Sequence, residues 1–219
     1  MKAIRIHGWG ERPRLETLAE PEAQPGRTLV RMAATTASHL DRSIAAGGFL
    51  RHPPLPYVPG VEAAGTVLQS DRFPVGARVW LRGAGLGTVE DGTWRETISA
   101  PDAAVGLLPE AIAMPLGAAF FSPCTAAWVA LFGVGALQAG ERVLVSGASG
   151  AVGSIAVQLA RAAGGIADEH RATAGRKVEL DLAELMQRDL RLLPLNMLRR
   201  EAEARAAAPE LLTLSLIHI

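Results

Sequence analysis

Val143-Leu144-Val145-Ser146-Gly147-Ala148-Ser149-Gly150-Ala151-Val152-Gly153 reads as a buried strand, a glycine turn and the first turn of a helix. Three consecutive apolar residues suit a central parallel strand. Val152, Ile155, Ala156, Leu159 and Ala163 then recur at helical spacing. The N-terminus of a helix presents backbone N–H groups that carry partial positive charge and have no intrahelical partner. An anionic pyrophosphate fits there once glycines keep side chains out of its way. The stretch therefore predicts a dinucleotide phosphate seat made by Gly147, Ser149, Gly150, Ala151, Val152 and Gly153. Its spacing is G-x-x-G-x-x-G instead of the standard G-x-G-x-x-G, so the strand and helix around it carry more of the reading than the glycines do. The alternative is a glycine turn that packs without a ligand.

Around this stretch lie 219 residues, 49% hydrophobic, enough for one large or two small domains. Lys plus Arg and Asp plus Glu both total 22. With no net charge there is no basic field to attract nucleic acid, and none is expected as a partner. Met1 to His7 lacks the apolar core of a signal peptide, and no run has membrane-spanning length, so a cytoplasmic protein without a membrane partner is expected. The single cysteine, Cys124, rules out an intrachain disulfide and a Cys-based zinc knuckle. Its apolar neighbours point to a buried, inert thiol.

Short and alternating apolar runs punctuated by Gly and Pro make the chain β-rich up to about Leu108. Strands are expected at Met1–Ile6, Thr28–Ala33, the end of Gly60–Val67, Val75–Trp80 and Thr97–Ala100, with turn chemistry over Pro21–Gly26. The polar cluster Ala37–Ser43 starts a helix or lines a pocket, with Ser38 or Asp41 as its cap. Pro53, Pro54, Pro56 and Pro59 hold an extended loop.

Five landmarks in order give the chain a family likeness: Pro59-Gly60-Val61-Glu62 with Ala64-Gly65-Thr66-Val67, Val75 to Val79, Gly92-Thr93-Trp94-Arg95-Glu96, Trp128 to Leu131, and Gly140 to Val145 leading into the glycine turn. From Met1 to about Gly165 the chain resembles the medium-chain dehydrogenase/reductase superfamily, in particular its zinc-independent quinone oxidoreductase-like branch. The resemblance implies an α/β protein: a GroES-like β domain over residues 1–115, then an incomplete Rossmann (doubly wound parallel) domain over 116–213. It implies NADPH as cofactor, with NADH not excluded, hydride transfer to a quinone or related activated carbonyl or alkene, and a homodimeric parent. A zinc-independent alcohol dehydrogenase or enoyl reductase-like enzyme, and a non-catalytic nucleotide-binding fragment, are the alternatives.

No zinc is expected. Relatives that bind it place Cys where this chain has Ser38 and His where it has Val61, and catalytic zinc needs three protein ligands. His39 then reads as a pocket-wall or hydrogen-bonded residue and Glu62 as a buried carboxylate paired by a neighbour. Leu40 stands where the alcohol proton relay would need a hydroxyl. The resemblance places Ser38 and Phe49 toward a small-molecule substrate, where family members often carry Asn and Tyr; packing or loop structure is the other reading of both. No catalytic side chain is singled out, and Thr125 stays unassigned because alignment on Trp128 and Leu131 brings Ala126 to the family's threonine position.

Beyond Gly165 the pattern changes. Ile166-Ala167-Asp168-Glu169-His170-Arg171 has no apolar run, so the second parallel strand of a Rossmann unit, with its ribose-reading end, is expected to be missing. That expectation makes the chain internally shortened and a poor binder of dinucleotide, inactive as it stands. Val178–Glu184 reads as an extended piece entering a helix, with Asp181 and Glu184 at capping-box spacing, and Leu190–Met197 as a strand confined to an edge by Pro194. Residues 214–219, Leu-Ser-Leu-Ile-His-Ile, are the translation of CTGTCTCTTATACACATC, the start of a transposon mosaic-end adapter. They are expected to be a non-native tail, with a short natural apolar tail as the alternative.

Overall fold

The computed structural model describes residues 1–49, 53–170 and 193–218. The chain divides into two units, Met1–Phe121 and Ser122–Ile219.

The first unit is built on an antiparallel sheet of five strands. They are β3 (Arg27–Thr35), β4 (Glu62–Gln69), β5 (Arg78–Arg82), β6 (Thr97–Pro101) and β7 (Val105–Leu107), in the order β6-β3-β4-β5-β7. Successive strand side chains point to opposite faces, so the even residues Thr28 and Val30 of β3 are buried while Arg31 is exposed. Val30 meets Val67, Val79, Leu81, Ile98 and Val105 in the main core. A separate antiparallel pair, β1 (Lys2–Arg5) and β2 (Arg14–Thr17), precedes the sheet in the chain. β2 escapes sequence reading because Arg-Leu-Glu-Thr has no apolar face to alternate, and its Leu15 is 68% exposed.

Helix α1 (His39–Ala45) follows β3 and packs Ile44 and Leu40 with Ile6, Tyr57 and Val61 in a second, smaller cluster. Helix α2 (Met114–Ala119) begins with a proline in its first turn, where the missing N–H costs nothing. Its end delivers Phe120 and Phe121 to Trp80, with ring centroids 5.8 and 4.8 Å away. Helix α3 (Phe121–Trp128) continues into a π-helical segment over Val129–Val134. Cys124 and Thr125 are both buried in α3.

In the second unit, β8 (Arg142–Ser146), α4 (Ala151–Ala162) and β9 (Ile166–His170) form a right-sized strand–helix–strand unit with parallel strands. The second strand, expected to be missing, is present: Arg142 pairs with Ile166 and the ladder runs to Ser146 opposite His170. Backbone hydrogen bonds make the ladder, and its acidic side chains are matched by cations. Asp168 meets Arg142 at 2.9 Å and Glu169 meets Arg161 at 2.7 Å. Two further expectations are corrected. Leu144 is 72% exposed, so β8 is not a strand buried on both faces among the described residues. The packed face of α4 is Gly153, Ala156, Val157, Leu159 and Ala160, rotated from the predicted stripe, with Val152 45% exposed.

The predicted strand at Leu190–Met197 is also corrected over its described part. Leu193–Asn196 has no regular structure, and Met197–Arg199 is a single 3-10 turn capped by Asn196, whose Oδ1 accepts from the Leu198 N–H at 3.1 Å. The reading of Val178–Glu184 lies outside the described residues. Helix α5 (Glu201–His218) buries Ala204, Ala207, Ala208, Leu211 and Leu212, and its backbone includes residues 214–218. No helix among the described residues is long and apolar enough to cross a membrane.

Candidate functional site

The glycine turn between β8 and α4 brings all six predicted phosphate-seat residues together, and its three glycines do different work. Gly147 takes φ +67°, a left-handed conformation that side chains disfavour. Gly150, extended at φ −81° and ψ 169°, is the N-cap of α4 and closes the turn by donating its N–H to the Gly147 carbonyl at 2.9 Å. A Cβ on Gly150 would meet only the Gly147 oxygen, at 3.2 Å, whereas one on Gly153 would lie 2.2 Å from that oxygen and 2.9 Å from Ala148 Cα. Gly153 thus permits strand and helix to approach, and Gly150 keeps the outer surface clear.

The first intrahelical bond runs from the Ser154 N–H to the Gly150 carbonyl at 2.9 Å. The N–H groups of Ala151, Val152 and Gly153 therefore precede the ladder, and no side chain among the described residues caps them. Ser149, Gly150, Ala151 and Val152 are exposed, while Ala148 and Gly153 anchor the turn inside. Positive N–H ends and a clear surface fit the pyrophosphate of a dinucleotide.

Sequence reasoning missed β9, and with it the neighbouring edge of this site. The register sets His170 level with Ser146, one residue before Gly147. The carboxyl end of this strand is where a Rossmann unit meets the cofactor's ribose. The available signal was Gly164-Gly165 followed by five residues of strand length; the polarity of Asp168 and Glu169 concealed it.

In the first unit the landmarks scattered along the sequence touch one another. The N–H groups of Gly92, Thr93 and Trp94 donate to the carbonyls of Val58, Gly60 and Pro59 at 2.6, 3.0 and 2.9 Å. Gly60 has φ +104°, and a Cβ there would meet Thr93 Oγ1 at 2.4 Å; one on Gly92 would meet the Gly60 oxygen at 2.1 Å. Thr35 and Thr93 both donate hydroxyl hydrogen bonds to the Glu62 carbonyl, at 2.9 and 3.1 Å. Trp94 Nε1 donates to the Thr36 carbonyl at 2.7 Å. Arg78 donates to the Pro109 carbonyl at 3.0 Å, tying the Val75–Val79 landmark to the chain leaving β7.

Ser38 caps α1 in a reciprocal box with Asp41. The Ser38 N–H and hydroxyl both donate to Asp41 Oδ2, at 2.7 and 2.6 Å, and the Asp41 N–H donates to Ser38 Oγ at 3.3 Å. Asp41, 2% exposed, also accepts the Val61 N–H at 3.0 Å. The buried carboxylate thus pins the start of α1 to the proline-rich segment. Phe49 is half-buried and packs on the Ile6, Ile44, Tyr57 and Val61 cluster. Burial, and then the Asp41 charge, push the Tyr57 phenol up to about 12, and its hydroxyl has no hydrogen-bond partner among the described residues.

The donor set here does not fit a catalytic zinc. Ser38 is committed to Asp41 and Val61 carries no donor atom. Glu62 is buried opposite Arg82 in the β4–β5 register, with Arg82 Nε 3.9 Å from its carboxylate, as the sequence predicts for a neighbour-paired acid. His39 is exposed. One exposed imidazole and one arginine-paired carboxylate fall short of three ligands.

The alcohol dehydrogenase GroES-like domain matches residues 24–110. Human quinone oxidoreductase is 33% identical over 171 residues, 75% of this chain and 50% of that protein. The human synaptic vesicle membrane protein VAT-1 homolog is 33% identical over 168 residues, 74% of this chain and 42% of that protein. The crystal structure of the quinone oxidoreductase from Thermus thermophilus, also solved with NADPH, superposes at a TM-score of 0.66 with 32% identity, covering 77% of this chain and 52% of that one. This chain is similar to the quinone oxidoreductase-like medium-chain dehydrogenase/reductases. It spans about half the length of the curated relatives it matches. Its first unit contains the family's GroES-like domain and its second a partial Rossmann-like parallel sheet.

Proposed function

We propose that this chain carries the substrate domain and the phosphate seat of an NADPH-dependent oxidoreductase that reduces a quinone or related activated carbonyl or alkene without zinc. The observation that carries the reading is the uncapped N-terminus of α4 behind the Gly147–Gly150 turn. It is supported by likeness to quinone oxidoreductases, one of them solved with NADPH. When bound, the reduced nicotinamide supplies hydride. The chain's own part is to hold and orient. Ala151, Val152 and Gly153 offer N–H groups to the pyrophosphate. In this reading Ser38 and Phe49 face the substrate. Asp41 holds the Ser38 hydroxyl in one orientation, and Phe49 offers an apolar surface backed by the cluster beneath it. No side-chain acid is assigned to the hydride step, so orientation and exclusion of water carry the rate. The proposed setting is the cytoplasm and the proposed parent a homodimer.

With β9 in place, dinucleotide binding is testable on the chain itself. NADPH titrated against the protein should quench or shift its fluorescence saturably. Gly150→Val, whose side chain would stand in the cleared surface, should weaken binding at least tenfold, or about 1.4 kcal/mol, with the circular dichroism spectrum unchanged. Equal affinity in a folded variant overturns the phosphate seat. NADPH oxidation with a quinone panel, run with and without chelator on the full-length parent, addresses the reaction: activity abolished by chelator and restored by zinc alone overturns the metal-free reading.

A further inference from the structure

We draw no further inference here: the strongest candidate, the apolar cleft of about 540 Å³ in the first unit between Ala3 and Ile4 of β1, Leu15 of β2, Met32–Ala37 at the end of β3 and Thr93–Glu96, is an unpartnered apolar groove, and nothing in the structure shows what covers it.

Discussion

The two units hold their glycine-rich segments in place by different means. In the first, Gly60 and Gly92 lie against each other between segments more than thirty positions apart in sequence, and hydrogen bonds from Gly92, Thr93 and Trp94 lock them together in a unit built on a five-stranded sheet. In the second, Gly147, Gly150 and Gly153 make contacts within seven residues, on a sheet whose described part has two strands. Leu81 in β5 is 1% exposed; Leu144 in β8 is 72% exposed. A turn formed by local contacts needs little tertiary support to take its shape, whereas a joint between distant segments exists only if the whole sheet does. The first unit should therefore behave as one cooperative body, and the second should tolerate changes that a complete Rossmann domain would not.

Gly92→Ala is the sharpest way to break this contrast. Its methyl group meets the Gly60 carbonyl at 2.1 Å and the Pro59 carbonyl at 2.6 Å, so two backbones must part. A loss on the order of 4 kcal/mol is expected in urea denaturation followed by tryptophan fluorescence; a variant within 1 kcal/mol of the parent would show that the joint is not rigid. Next comes a matched pair. Leu81→Ala should cost about 2 to 5 kcal/mol, and Leu144→Ala about 0.5 kcal/mol or less, because only the first leaves a cavity. Equal costs would mean that β8 is covered as β5 is.

Gly153→Ala should destabilise the second unit by about 2 kcal/mol, since overpacking forces backbone displacement at the Gly147 carbonyl. Hydrogen exchange along α4 reads this locally, and unchanged protection there would remove Gly153 from the packing role. The smallest effect concerns Tyr57. Among the described residues its buried hydroxyl lacks a partner, so Tyr57→Phe should stabilise the first unit by about 1 kcal/mol at neutral pH. The phenol is raised from 10 to about 12, so the folded state keeps a proton that the unfolded state releases. Stability from this group is complete below pH 10 and is lost as the pH rises toward 12. The Phe variant should lack this contribution to the alkaline decline, and stability curves that stay parallel from pH 9 to 12 would refute it.

The sequence by itself determined the glycine turn, a cap for α1 at Ser38 or Asp41 and the strands around Val30, Val67 and Val79. Each is a local matter: a conformation that favours glycine, a hydroxyl three residues from its acceptor, an apolar alternation of period two. It also supplied the pairing of Glu62 in outline, since a carboxylate inside an apolar strand needs a partner. The tertiary structure decided what depends on neighbours distant in the chain. It placed the Pro59–Glu62 and Gly92–Glu96 landmarks against each other, turned α4 so that Val157 and Ala160 pack inward, and left Leu144 uncovered. It formed β9 from Ile-Ala-Asp-Glu-His, a segment without strand periodicity, because a parallel ladder is satisfied by backbone groups and its two carboxylates found arginines on β8 and α4. Periodicity reports only which face of an element is buried; a strand that draws its partners from hydrogen bonds and ion pairs leaves no such trace.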